Sequence, residues 1–270
     1  MFTKLFFSIA RAFYGIGIAG LGIQQFQYAD FRPVILPEWP TWMHASPVPA
    51  YLVGAFWVLM GFMIAFGKKI KTVSLLLGGL LFLFFVCFQL PYTLFTSPNA
   101  ARHLGVWVNP LKELALSGGA FVMAGFFNDG TGTIPKSPLL HALQSLVPYG
   151  RIFFSITLFV FGYSHFIYPD FVAGLVPAWI PGHLFWTYLS GILLMGTGAA
   201  IILKFKVKQV GWLAGLMLLL WVILLHIPRS LADPCGDKGN EITSVFEALA
   251  FSGTSFVISG LFSKKHRSVA

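Results

Sequence analysis

Two histidines, His165 and His226, fall at the ends of two long apolar runs, a depth the two share if both runs are helices of one bundle. Imidazole titrates near neutrality and ligates haem and metals. Such a pair could therefore hold a haem or a metal ion, or relay protons to a quinone. The matching positions earlier in the chain are Gln25 and Gln89, which keep the hydrogen bonding and lose the titration, so a redox site would belong to the second half of the chain. Two carboxylates, Glu113 and Glu247, lie about two turns inside further apolar runs. An ionisable group at such depth is costly and is a functional candidate by default. Either could receive a proton or hold a cation such as Arg102 or Arg229. Lys112 precedes Glu113, but sequence neighbours point to different faces of a helix and need not pair. The candidate outer-face site is thus His165, His226, Asp170, Glu247 and Arg229, with Gln25, Gln89, Asp30 and Glu113 as first-half counterparts. No HxxxH, ExxH, paired-cysteine spacing or nucleophile elbow accompanies these residues, so no metal site is expected and no catalytic residue is assigned.

The elements that must position them follow from composition. The chain of 270 residues is 57% hydrophobic and only 10% charged, with mean hydropathy +0.78. A soluble domain carries roughly a quarter charged residues, so this surface needs a bilayer. Apolar runs long enough to cross a hydrocarbon core recur, and eight are expected: Leu5–Phe26, Ala50–Gly67, Thr72–Phe95, Val106–Phe127, Val147–Tyr168, Leu184–Leu203, Gln209–Ile227 and Ile242–Phe262. The fold class is therefore an all-α polytopic membrane protein. The first span lacks a small-residue cleavage site after a short apolar core and is expected to stay as an anchor helix.

The net charge of +9 points to nucleic acid only until the basic residues are placed. Lys4, Lys68, Lys69, Lys71, Lys136, Lys204, Lys206, Lys208, Lys264, Lys265 and Arg267 all fall on one side of an eight-span arrangement. That asymmetry predicts cytoplasmic termini, and the partner it implies is the lipid bilayer. Arg11 and Arg151, near the starts of their spans, are expected to snorkel to the same surface.

The chain also repeats itself. Phe26, Tyr28, Asp30, Phe31, Pro37 and Trp39 are followed 140 positions later by Phe166, Tyr168, Asp170, Phe171, Pro177 and Trp179. "VLMGFMI" (58–64) answers "LLMGTGA" (193–199), "QLPYTLFTSP" (89–98) answers "HIPRSLADP" (226–234), and "LALSGGAFVMAGFF" (114–127) answers "LAFSGTSFVISGLF" (249–262). The expected organisation is a four-helix repeat over 1–130, a cytoplasmic linker over 131–144 and a second four-helix repeat over 145–270. Four spans per unit is an even number, so the units should be parallel. Each should carry its own outer lid, with Trp39, Trp42, Trp179 and Trp186 at the interface.

The stretch "SHFIYPDFVAGLVPAWIPGHLFWTYLSG" (164–191) resembles the DoxX-like family of small four-helix membrane proteins. The resemblance rests on His165-Phe166, Pro169, Pro177 and Pro181 about Trp179, and Ser190-Gly191 opening the next span. The first half departs from it, with Gln25 for the histidine and Ala29 for the first proline. The resemblance implies a bacterial inner-membrane protein. Some relatives are subunits of thiosulfate:quinone oxidoreductases, and others are linked to redox stress or to maturation of secreted enzymes. Two functions are therefore expected. One is an accessory or small-lipophile-binding subunit without a complete catalytic site, with an apolar small molecule between the halves. The other is a quinone-linked redox subunit with quinone or haem as cofactor and a redox protein as partner.

Overall fold

The computed structural model describes residues 2–96, 103–127, 137–236 and 239–262. All regular structure among these residues is helical. Eight long helices carry the fold: α1 (Phe2–Tyr28), α2 (Val48–Ala65), α3 (Ile70–Phe84), α4 (Val108–Phe126), α5 (Gly150–Ile167), α6 (His183–Ile202), α7 (Val207–Trp221) and α8 (Asn240–Gly260).

Seven stretches among the described residues are long and apolar enough to cross a membrane: Thr3–Tyr28, Val48–Ala65, Ile70–Phe95, Pro138–Ile167, His183–Ile202, Val207–Ala232 and Asn240–Gly260. The protein is an integral membrane protein. The expected span Val106–Phe127 is not among the seven. Its helix, α4, runs 19 residues but carries Asn109, Lys112, Glu113 and the run Ser117-Gly118-Gly119. The packing explains this composition: α4 is buried without interruption from Glu113 to Ala124, as α8 is from Ala250 to Gly260. Helices walled in by protein can hold polar and small residues that a lipid-facing helix cannot.

Each long helix packs on its successor, α8 closes the ring on α1, and α4 meets α8 across the middle. Small residues make the closest approaches. A Cβ on Gly54 of α2 would stand 2.9 Å from the Gly22 carbonyl oxygen of α1, and one on Gly191 of α6 would stand 3.0 Å from that of Gly162 in α5. Those contacts pair residues 54 and 191, and likewise 61 and 198, two positions away from the match "VLMGFMI"/"LLMGTGA". Ser117 donates to the Gly78 carbonyl at 2.9 Å, fastening α4 to α3, and Ser252 donates to the Gly215 carbonyl at 2.8 Å, fastening α8 to α7. Arg11 and Arg151 donate to the last carbonyls of α2 and α6, Ala65 at 3.4 Å and Ile201 at 2.6 Å. Cations are favoured at these helix ends by the backbone dipoles.

Two irregularities matter for the site. α3 and α7 each widen into a π-helical turn, Phe85–Gln89 and Val222–His226, just before Pro91 and Pro228. Proline removes a backbone donor and clashes with the preceding turn, and a wider turn absorbs both. The two outer loops, expected as equivalent lids, differ. Phe31, Val34, Ile35 and Leu36 are buried, at 4% exposure or less. The second loop forms the short helix Pro169–Leu175 with Phe171 71% exposed. The expected linker lies partly outside the described residues. Its later part folds as the helix Pro138–Gln144, and Leu140 and Leu143 pack against Leu75, Phe121 and Ala124.

Candidate functional site

On α1, Tyr14, Ile18, Leu21 and Gln25 recur at helical spacing and all are fully buried. They form one stripe, and its direction is fixed by Tyr14, whose hydroxyl donates to the Leu116 carbonyl of α4 at 2.6 Å. On α4 the stripe that contains Leu116 also contains Glu113 and Ala120, three and four residues away, both at 0% exposure. Gln25 and Glu113 therefore sit on buried stripes of two helices that Tyr14 joins, and Gln25 lies against Gly54 of α2. Trp57, also fully buried, lies on α2 between Gly54 and Gly61, the two glycines that touch α1.

Polar atoms in this interior lack protein partners. Neither carboxylate oxygen of Glu113, neither amide atom of Gln25, nor Nε1 of Trp57 has a hydrogen bond among the described residues. Leaving such groups unpaired in an apolar surrounding costs about 1–3 kcal/mol apiece. Their presence needs a reason beyond packing.

The buried loop covers the C-terminal end of α1. Gln89, at the end of the π-helical turn, donates to the Pro33 carbonyl at 2.7 Å and ties α3 to the loop. Arg32 is 1% exposed, lies over the Tyr28 ring at 4.5 Å, and donates to Thr243 Oγ1 of α8 at 3.2 Å. Thr243 in turn donates to Gln24 Oε1 at 3.1 Å. Asp30 Oδ1 lies 2.6 Å from His44 Nδ1 and accepts from the Phe31 backbone N–H at 2.7 Å, which holds the start of the loop.

Of the second-half residues, His226, Arg229 and Glu247 come together through Lys112 and Glu241, while His165 and Asp170 stand apart. His165 donates from Nδ1 to the Phe161 carbonyl at 2.7 Å, and its ring lies near-parallel to Trp221, with centroids 6.4 Å apart. His226, at the end of the other π-helical turn, has a buried Nδ1 without a partner among the described residues, and Lys112, Glu241 and Arg229 are its charged surroundings. No hydrogen bond or ring contact joins His165 to His226. Arg229 grips Glu241 with two hydrogen bonds, 2.9 and 2.5 Å, beside a pocket of about 180 Å³ that Ala232 and Asp233 complete. Glu247 pairs with Lys112 at 2.7 Å. Asp170 is exposed in the first turn of Pro169–Leu175. Arg102, considered as a partner for the buried carboxylates, lies outside the described residues.

The arrangement therefore regroups the candidate residues. Glu113 and Glu247 point into different surroundings: one is unpartnered inside the first half, the other belongs to the α4–α8 seam. Lys112, Glu241, Trp57 and Arg32 join the picture from outside the candidate set. The signal for Lys112 was available, since it precedes Glu247 by the same 135 positions that separate Ser117 from Ser252.

Residues 154–230, from within α5 to the turn after α7, match a family described as a domain of unknown function (DUF8561). No curated protein and no solved structure matches the chain.

Proposed function

We propose that this is an eight-span protein of the DoxX-like type, made of two parallel four-helix repeats with both ends of the chain on the cytoplasmic side of a bacterial inner membrane. Support comes from contacts that recur across the chain: Ser117 on Gly78 with Ser252 on Gly215, Arg11 on Ala65 with Arg151 on Ile201, and the two π-helical turns ending at Gln89 and His226. In this reading α4 is the eighth span, and its polar residues are tolerated because protein surrounds it.

Its role is that of an accessory protein that binds a small amphipathic lipophile in the first-half interior. The observation that carries this reading is that Gln25 of α1 and Glu113 of α4 are both fully buried and both without a hydrogen-bond partner among the described residues. Ligand sites are mostly apolar with a few convergent polar groups, and the amide and carboxyl would take the polar head of such a molecule. Native mass spectrometry of the detergent-purified protein, followed by solvent extraction, tests the proposal. The expected result is a bound hydroxyl- or carbonyl-bearing lipophile that is lost in Gln25→Leu and Glu113→Leu. Equal occupancy in wild type and both variants would overturn it.

The quinone-linked redox reading draws its support from His226, whose unpartnered Nδ1 lies among Lys112, Arg229 and Glu241. It requires a quinone in the solvent extract or haem bands in the spectrum, with loss of either in His226→Ala.

A further inference from the structure

A groove of about 530 Å³ runs along the outside of the α1–α2 pair, with walls made by Phe26, Val58, Leu59, Phe62 and Phe66 and with Lys68 at one end. The rings of Phe62 and Phe66 stack with centroids 6.1 Å apart and form a continuous aromatic wall. From Ala55 to Phe66 the groove follows α2 for roughly 16 Å at the usual helical rise. That is about half of a hydrocarbon core roughly 30 Å thick, the reach of an acyl chain from one leaflet.

The lysine end of the groove is strongly basic. Lys68 and Lys69 are exposed, Lys71 is half-buried, and Arg11 lies beneath Gly67 with its Nε buried and unpartnered among the described residues. The carboxylates of the described residues, Asp30, Glu38, Glu113, Asp170, Asp233, Glu241 and Glu247, all lie at or towards the opposite helix ends. Three lysines and an arginine at a headgroup surface thus have no local counter-charge from these residues.

The geometry points to a binding site for an anionic phospholipid, with one acyl chain in the α1–α2 groove and the phosphate against Lys68, Lys69 and Lys71. Basic pockets beside spanning helices on this side of a bilayer recognise acidic headgroups, and each nearby lysine adds attraction. The second half supplies an internal comparison. In the register set by the glycine contacts that match 54 with 191 and 61 with 198, Leu59, Phe62 and Met63 are replaced by Gly196, Ala199 and Ala200, and Lys68 by Phe205. The aromatic wall and the lysine at its end are both missing there, although Lys204, Lys206 and Lys208 keep the basic charge.

The test uses the full chain reconstituted in vesicles of phosphatidylglycerol and phosphatidylcholine with identical acyl chains, then taken up in mild detergent for native mass spectrometry. Wild type is expected to retain one phosphatidylglycerol, about tenfold in preference to phosphatidylcholine. The triple variant Lys68→Gln/Lys69→Gln/Lys71→Gln should lose the preference. Leu59→Trp, which fills the groove, should lose the retained lipid, and Lys204→Gln/Lys206→Gln/Lys208→Gln should keep it. Equal retention of the two lipids by wild type overturns the proposal without reliance on any variant. So does unchanged retention in the first triple variant or in Leu59→Trp, and so does equal loss in the second triple variant, which would indicate general surface attraction.

Discussion

Lys112 of α4 and Glu247 of α8 form an ion pair, Nζ to Oε2 at 2.7 Å, across the seam where the two central helices meet. Their side chains are 16% and 3% exposed, so neither charge is shared appreciably with solvent. They stand 135 positions apart, the separation that also relates Ser117 to Ser252. If the halves are repeats, one position has become a cation in one copy and an anion in the other, and the two meet.

Removing one partner leaves an uncompensated buried charge. Lys112→Ala and Glu247→Ala are each expected to destabilise the protein by about 3–5 kcal/mol. The double replacement Lys112→Leu/Glu247→Leu should cost much less than the sum, and the exchange Lys112→Glu/Glu247→Lys should recover most of the loss. Thermal unfolding of wild type and the four variants in one detergent checks this.

Glu113 should behave in the opposite way. Its carboxyl is fully buried and without a partner among the described residues, so it opposes folding. Glu113→Leu is expected to leave stability unchanged or to raise it by about 1–3 kcal/mol, while abolishing lipophile retention. A functional group kept at the expense of stability has that signature. Melting temperature and native mass, measured on one preparation, separate the two effects.

The glycine contacts between α1 and α2 leave no room for side chains. Gly54→Leu and Gly22→Leu should separate the helices and lower stability by about 1–3 kcal/mol or more. By contrast, Gly196→Ala on α6, where an added Cβ meets nothing within 4 Å, should be neutral. Melting curves and gel filtration in detergent discriminate the two classes.

The topology proposal predicts that reporters fused to the two chain ends report the same side of the membrane. A reporter inserted between His44 and Pro47 should report the other side. Reporters at the two ends that disagree would remove α4, or one other helix, from the set of spans.

Much of the architecture was legible because membrane residence leaves a coarse mark. An apolar run long enough for the hydrocarbon core has little choice but to be helical, since every backbone group must be satisfied within the segment. The helix α4 was legible as a helix, but its burial was not, because protein packing, which local composition does not encode, makes its Lys112, Glu113 and Ser117 tolerable. Candidate side chains such as Gln25, Gln89, Glu113 and His226 could be named from type and depth. Their partners could not, because partnership depends on which helix lies next to which.

The sequence by itself determined that this is a helical membrane protein, with polar groups set in apolar runs and an echo between its halves. Only the tertiary structure decided that Glu247 meets Lys112 while Glu113 meets no partner among the described residues, and that Phe31 is buried while Phe171 stands exposed. The reason is physical. Hydropathy is summed along a chain and survives in one dimension, whereas the solvation of a particular carboxylate or ring is fixed within a few ångströms by residues distant in sequence, 135 positions away for Lys112 and Glu247.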